Sequence, residues 1–180
     1  YRNFSVTYVD DCSTDGTGKL AQQFLQQQFR QQWTYLRNDN RKGQAFSRFR
    51  AYSQTPANST CFMLDGDDWL AHKDVLRQVA VYMDTNRADM VYNSMQISFN
   101  GSVTNFHGID GSPGVADYTD FEKSSRKFRQ LGWKACHPRI MEAQLLKHVD
   151  PAKHLMFEGE WIKCCTDLAE SFVCLEQARN

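Results

Sequence analysis

The sequence is short of several things, and each shortage removes a class of function. Neither sign of charge is in excess, with 21 Lys+Arg against 21 Asp+Glu over 180 residues. No global field therefore draws the chain to nucleic acid or to an anionic membrane, and partner choice must come from a local site. No apolar run approaches the roughly 20 residues that span a bilayer, and no signal peptide is visible. The cysteines Cys12, Cys61, Cys136, Cys164, Cys165 and Cys174 form no CxxC pair and no regular framework. Scattered in this way they read as reduced thiols of an intracellular protein rather than a disulfide scaffold. The expected location is cytoplasmic, with peripheral attachment to the cytoplasmic face of a membrane as the other option.

What is present is a core. Hydrophobic residues make up 41% and aromatics 13% of the chain, enough for one packed domain and too little chain for two well-buried ones. Phe4 to Val9 alternates and is rich in strand formers, which predicts a strand ending at Asp10. Leu20, Ala21, Phe24, Leu25 and Phe29 form a helical stripe within Thr17 to Gln32, with the glutamines as its wet face. A strand over Trp33 to Arg37 and a helix over Gly43 to Ser53 follow. Thr60 to Leu64 reads as a buried strand, His72 to Asp84 as a helix, and Asp89 to Ser98 as a strand entering a tight turn at "FNGS". Residues 105 to 120 read as an irregular loop. A strand near Trp133 to Cys136 and helices over Met141 to His148 and Trp161 to Ala169 complete the pattern.

Strands alternating with helices predict an α/β fold with a mainly parallel sheet, in which ligands bind beyond the carboxyl ends of the strands. Two predicted strands end in acids, at Asp10-Asp11 and at Asp65-Gly66-Asp67-Asp68. Adjacent carboxylates repel and need something positive or hydrogen-bonding between them. Both clusters are expected to face one crevice, where a divalent cation and an anion would satisfy them.

The motifs themselves are specific. "VDDCSTDGT" resembles the VDDGSTDGT signature of the GT-A glycosyltransferases, most closely family 2, and "LDGDDW" resembles that family's DXD segment. Between them "KGQAFSRF" is similar to the Gly-x-x-x-Ala-Arg-Asn stretch, with Gly43 and Arg48 at matching positions. The matches are collinear over roughly residues 4 to 76. "ACHPRIMEAQLL" followed by "EGEW" resembles the acceptor-side half more loosely. The resemblance implies one GT-A domain over residues 1–180, a nucleotide-sugar-binding half to about residue 100 and an acceptor half beyond. The strand and helix that open the family's domain have no counterpart at Tyr1 to Asn3, which implies that the sequence omits them.

The resemblance also implies roles. Asp10, Asp11, Ser13, Arg48 and Asp65 would bind the donor, with Asp10 or Asp11 accepting from the nucleobase and Asp65 near the ribose. Ser13, Thr14 and Thr17 would order the turn and cap the helix after it. Asp67 and Asp68 would hold Mn²⁺ or Mg²⁺, with His137 as an additional ligand. Glu160 would be the general base, in a position where an aspartate is common, with Glu158 next and Asp167 third. The implied reaction moves a sugar from a nucleotide-diphosphate donor, UDP favoured, to a hydroxyl of a carbohydrate, lipid-linked or protein acceptor, with inversion.

Blander readings stand beside these. "DGDDW" also reads as an exposed acidic loop, Arg48 as a solvated helix residue, Glu160 as an ordinary acid at a helix start, and His137 as a packed structural residue. The rival functions are a non-catalytic module binding nucleotide-sugar or a divalent metal, a retaining GT-A enzyme, and a sugar-nucleotide pyrophosphorylase. The last would want a Gly-rich N-terminal phosphate loop, which is not seen.

Overall fold

The computed structural model describes residues 1–29, 32–92, 96–100, 102–105, 117–135 and 138–179. The chain divides into two compact units that interleave in sequence: Tyr1–Pro56 with Val149–Glu170, and Ala57–His148 with Ser171–Asn180.

The first unit is built on a parallel strand pair. β1 (Val6–Asp10) and β2 (Trp33–Arg37) pair in register from Val6↔Trp33 to Asp10↔Arg37, joined by α1 (Thr17–Gln28). A crossover helix is what a parallel pair requires. The register sets Tyr8 against Tyr35, whose rings stack at 6.0 Å, and Arg37 against Asp10. α1 is shorter than its apolar stripe predicts and buries only Leu25 and Gly18, while Leu20 and Phe24 stay exposed. Phe29 leaves the helix to pack edge-on against Phe4 and Phe24.

α2 (Gln44–Ser53) buries Ala45, Arg48 and Tyr52. The later segment of this unit holds one π-helical turn (Pro151–Leu155) and a hairpin of β8 (Met156–Phe157) and β9 (Glu160–Trp161). Its two-residue turn has positive φ at both central residues, Glu158 at 51° and Gly159 at 83°, the conformation that matches strand twist in a tight hairpin. Trp161 therefore lies in a strand, and the helix expected from it begins five residues later as α7 (Thr166–Gln177). Periodicity could not see this, because the hairpin is held by Trp161 packing on Phe46 and Phe49 of α2, at 5.2 and 5.8 Å.

The second unit carries a three-stranded sheet in which β7 (Arg139–Glu142) lies antiparallel between β3 (Thr60–Met63) and β4 (Met90–Tyr92). β3 and β4 consequently run the same way. The strand expected at Trp133 to Cys136 falls later, at β7, and a four-residue helix α6 (Ala143–Leu146) directly follows it. α3 (Val75–Asn86) ends at Arg87 in the left-handed conformation. The β5 (Gln96–Phe99) and β6 (Ser102–Asn105) hairpin turns where "FNGS" predicted.

Two short helices, α4 (Asp120–Ser125) and α5 (Phe128–Leu131), had not been expected, although "TDFE" is a sequence sign of α4. Thr119 accepts from the Glu122 amide and the Glu122 carboxylate accepts from the Thr119 amide, a reciprocal cap. Ile140, Met141, Leu146, Phe128, Tyr118 and Cys174 are among this unit's buried core. Among the described residues no helix is long and apolar enough to cross a membrane.

Candidate active site

The turn after β1 is organised by two carboxylates with separate tasks. Asp10 is 2% exposed. Its Oδ1 accepts from the Ser13 amide at 2.8 Å, and its Oδ2 from the Tyr35 hydroxyl at 2.8 Å and from the Arg37 guanidinium. Burial pushes the Asp10 carboxyl up, but the Ser13 and Tyr35 hydrogen bonds and the Arg37 charge outweigh it and hold the pKa at about 2. α1 passes directly over this network at Gly18, where a Cβ would stand 2.2 Å from Asp10 Oδ2 and 2.4 Å from the Tyr35 oxygen. Only glycine allows that approach.

Asp11 faces the other way. Its Oδ1 accepts from Asn38 Nδ2 at 2.7 Å and the Lys42 amide at 2.8 Å, its Oδ2 from the Gly43 amide at 2.9 Å. The carboxylate so caps the loop that starts α2. Burial raises its pKa, the Lys42, Asn38 and Gly43 hydrogen bonds lower it, and the result lies below the ordinary carboxylate value. The acid pair is thus reconciled by protein groups alone, where the sequence had suggested donor and metal. A carboxylate offers about four lone-pair directions, and each of the two accepts three hydrogen bonds; they differ in access, Asp10 being buried and Asp11 half-buried.

The rest of the turn departs from expectation in detail. Gly16 is the N-cap of α1 with φ 90° and no side-chain cap. Asp15 orders the entry instead, accepting from the Thr17 amide at 3.0 Å and its hydroxyl at 2.6 Å. Cys12 has φ 63° where the resembling signature has glycine, a conformation that costs a residue with a Cβ roughly 1–2 kcal/mol. Arg48, expected among the donor-binding residues, is 8% exposed and binds Glu170 through Nε at 2.8 Å and through Nη2. Its charge is neutralised inside the first unit. Sequence reasoning missed Glu170, which lies too far along the chain for any local signal to link it to Arg48.

The β8–β9 hairpin presents the acceptor-side acids. Phe157 and Glu160 are cross-strand partners and share a face, opposite the face on which Trp161 packs inward. Glu160 is exposed, as is Glu158 at the turn, and neither carboxylate has a partner among the described residues. Phe157 is 70% exposed and had not been singled out. Asp167, the third choice, sits in the first turn of α7.

In the second unit the turn after β3 is closed by the Asp68 amide donating to the Asp65 carbonyl at 3.1 Å. Asp65 is half-buried and engaged, whereas Asp67 and Asp68 are exposed and their carboxylates have no partner among the described residues. Trp69 beside them is 69% exposed. Among the described residues no three His, Cys, Asp or Glu side chains stand together as a ready-made metal cage. Hard oxygen donors free of any cation nevertheless fit Mg²⁺ or Mn²⁺, which typically binds one or two carboxylates and takes its remaining ligands from water and substrate phosphates. His137 lies outside the described residues.

A parallel βαβ unit ending in acids and a second acidic turn after β3 define an α/β domain of the GT-A glycosyltransferase class. The family model for glycosyl transferase family 2 matches residues 1–149, and the chain belongs to that family. It also resembles the crystal structure of S. aureus TarS 1-349, with a TM-score of 0.65 and 19% identity over 99% of this chain. The match takes in 48% of the TarS chain, so this sequence spans about half of that length. No curated protein sequence matches.

Proposed function

We propose that the chain transfers a sugar from a nucleoside-diphosphate donor, a UDP-sugar first among candidates, to an acceptor hydroxyl with inversion. The observation that carries this reading is the contrast between its two acid clusters. Asp10 is buried among its protein donors, whereas Asp67 and Asp68 are exposed carboxylates without partners among the described residues, an arrangement that costs repulsion and suits a cationic ligand. In this reading Asp11 accepts from the nucleobase N–H, Asp10 and Ser13 fix the turn that presents it, and Asp65 serves the ribose. Asp67 and Asp68 hold a divalent cation, which as a Lewis acid would stabilise the departing diphosphate. Arg48 is left out of the donor contacts, because Glu170 occupies it.

Glu160 takes the proton from the acceptor hydroxyl as its oxygen bonds to the anomeric carbon and the bond to the diphosphate breaks. Phe157, sharing its face, supplies an apolar surface for a sugar ring. The acceptor is a carbohydrate, free or carried on a lipid or protein. Glu160→Gln should leave nucleotide binding unchanged and lower turnover by about 10²–10⁴-fold, the usual share of a general base. Undiminished turnover in that variant, with loss in Glu158→Gln, would transfer the role to the turn residue. Undiminished turnover in both would remove the hairpin from the mechanism.

A further inference from the structure

The loop between β9 and α7 carries two neighbouring cysteines, Cys164 and Cys165, both exposed. In extended backbone successive side chains point to opposite sides, so residues adjacent in sequence do not ordinarily meet. Here Cys165 adopts φ 53°, a left-handed conformation uncommon for any residue with a Cβ. The alternation is broken, and the Cys164 thiol lies near enough to push the Cys165 thiol's pKa up. The pair is anchored from behind: the Cys165 carbonyl accepts from the Ala169 amide at 3.1 Å in the first turn of α7, and Thr166 is buried. Two neighbouring thiols thus stand open to solvent. The other described cysteines differ, Cys61 and Cys174 being buried and Cys12 half-buried without a second thiol.

We propose that Cys164 and Cys165 form a vicinal dithiol site for thiophilic ligands that take two sulfurs, with trivalent arsenic as the chemical type. With an organoarsine oxide both S–H bonds break and two As–S bonds form. The oxide oxygen leaves with the two thiol protons as one water, and arsenic remains trivalent throughout. No oxidant or reductant is needed. Once the first sulfur is bound, the second bond is intramolecular at high effective concentration, which makes the adduct resist competing monothiols. None of the carboxylates assigned to sugar transfer takes part, so the site stands or falls independently of that reading.

The test is to treat the reduced full chain with phenylarsine oxide in excess monothiol, then measure intact mass and free thiols. The expected result is one phenylarsenic group and two masked thiols per chain, stable to monothiol and released by a 1,2-dithiol. Cys164→Ser and Cys165→Ser should each abolish the monothiol-resistant adduct while Cys12→Ser and Cys136→Ser keep it, with far-ultraviolet circular dichroism unchanged in all four. A resistant adduct surviving in the Cys164→Ser/Cys165→Ser double variant would overturn the assignment. So would a wild-type adduct that monothiol strips as readily as it does from the single variants.

Discussion

Asp10→Asn is the substitution whose cost follows most directly from the geometry. The side chain keeps its shape and loses its charge, and three donors converge on its two oxygens: the Ser13 amide, the Tyr35 hydroxyl and the Arg37 guanidinium. An amide offers one acceptor and one NH₂, so at least one of these donors faces another donor. A pKa of about 2 in place of 3.8 makes the folded state favour the charged form by about 2 kcal/mol at neutral pH. Because the folded value is depressed, this stability is fully present above the unfolded value of 3.8 and is lost as pH falls through about 2. Linkage leaves about half of it at pH 3. Urea unfolding of wild type and Asp10→Asn should differ by about 2–3 kcal/mol at pH 7, and the gap should narrow to about half by pH 3. Equal stabilities at pH 7, or a gap that does not shrink with acid, would mean that these donors do not hold the Asp10 carboxylate in its charged form.

The remaining predictions concern the parts that hold this site. Glu170→Ala removes a buried carboxylate that neutralises Arg48 and should cost about 3–5 kcal/mol by denaturant unfolding, much of which Arg48→Met/Glu170→Leu should restore. Equal cost in single and double variants would mean the pair is not the reason. Gly18→Ala should destabilise by about 1–3 kcal/mol in calorimetry although alanine is the better helix former, since its Cβ would collide with Asp10 and Tyr35. A stabilised variant would show that α1 does not lie where described. Asp68→Asn should leave urea stability within about 0.5 kcal/mol of wild type, the norm for an exposed substitution, while weakening nucleotide binding that depends on Mn²⁺. A large loss of stability would mean that the carboxylate has a structural partner.

The residues of the candidate site were easier to pick out of the sequence than the groups that hold them. β2 fell on Trp33–Arg37 as expected, and the hairpin turn at "FNGS" was found, because local chemistry decides both. Asp10, Asp11 and the acidic turn after β3 were visible as runs of charge at strand ends. What was hidden depends on distance along the chain. Arg37 meets Asp10 only through strand register, and Arg48 meets Glu170 only once the chain returns 122 residues later. Trp161 and Glu160 read as the start of a helix because nothing local reports that Trp161 packs on Phe46 and Phe49. β7 escaped for the same reason, its four residues becoming a strand between two partners distant in sequence.

Sugar transfer of the proposed kind requires cation-dependent binding of a nucleotide, and one thermal-shift panel measures it. UDP, GDP, CDP and ADP would each be tested with and without Mn²⁺, against wild type and Asp68→Asn. A ligand at about 100 times its dissociation constant adds about 2.7 kcal/mol of stability, a readily visible rise in Tm. The expected result is a rise with UDP that requires Mn²⁺, is abolished by chelator and is lost in Asp68→Asn. A rise with UDP that is the same without the cation and in Asp68→Asn would contradict it.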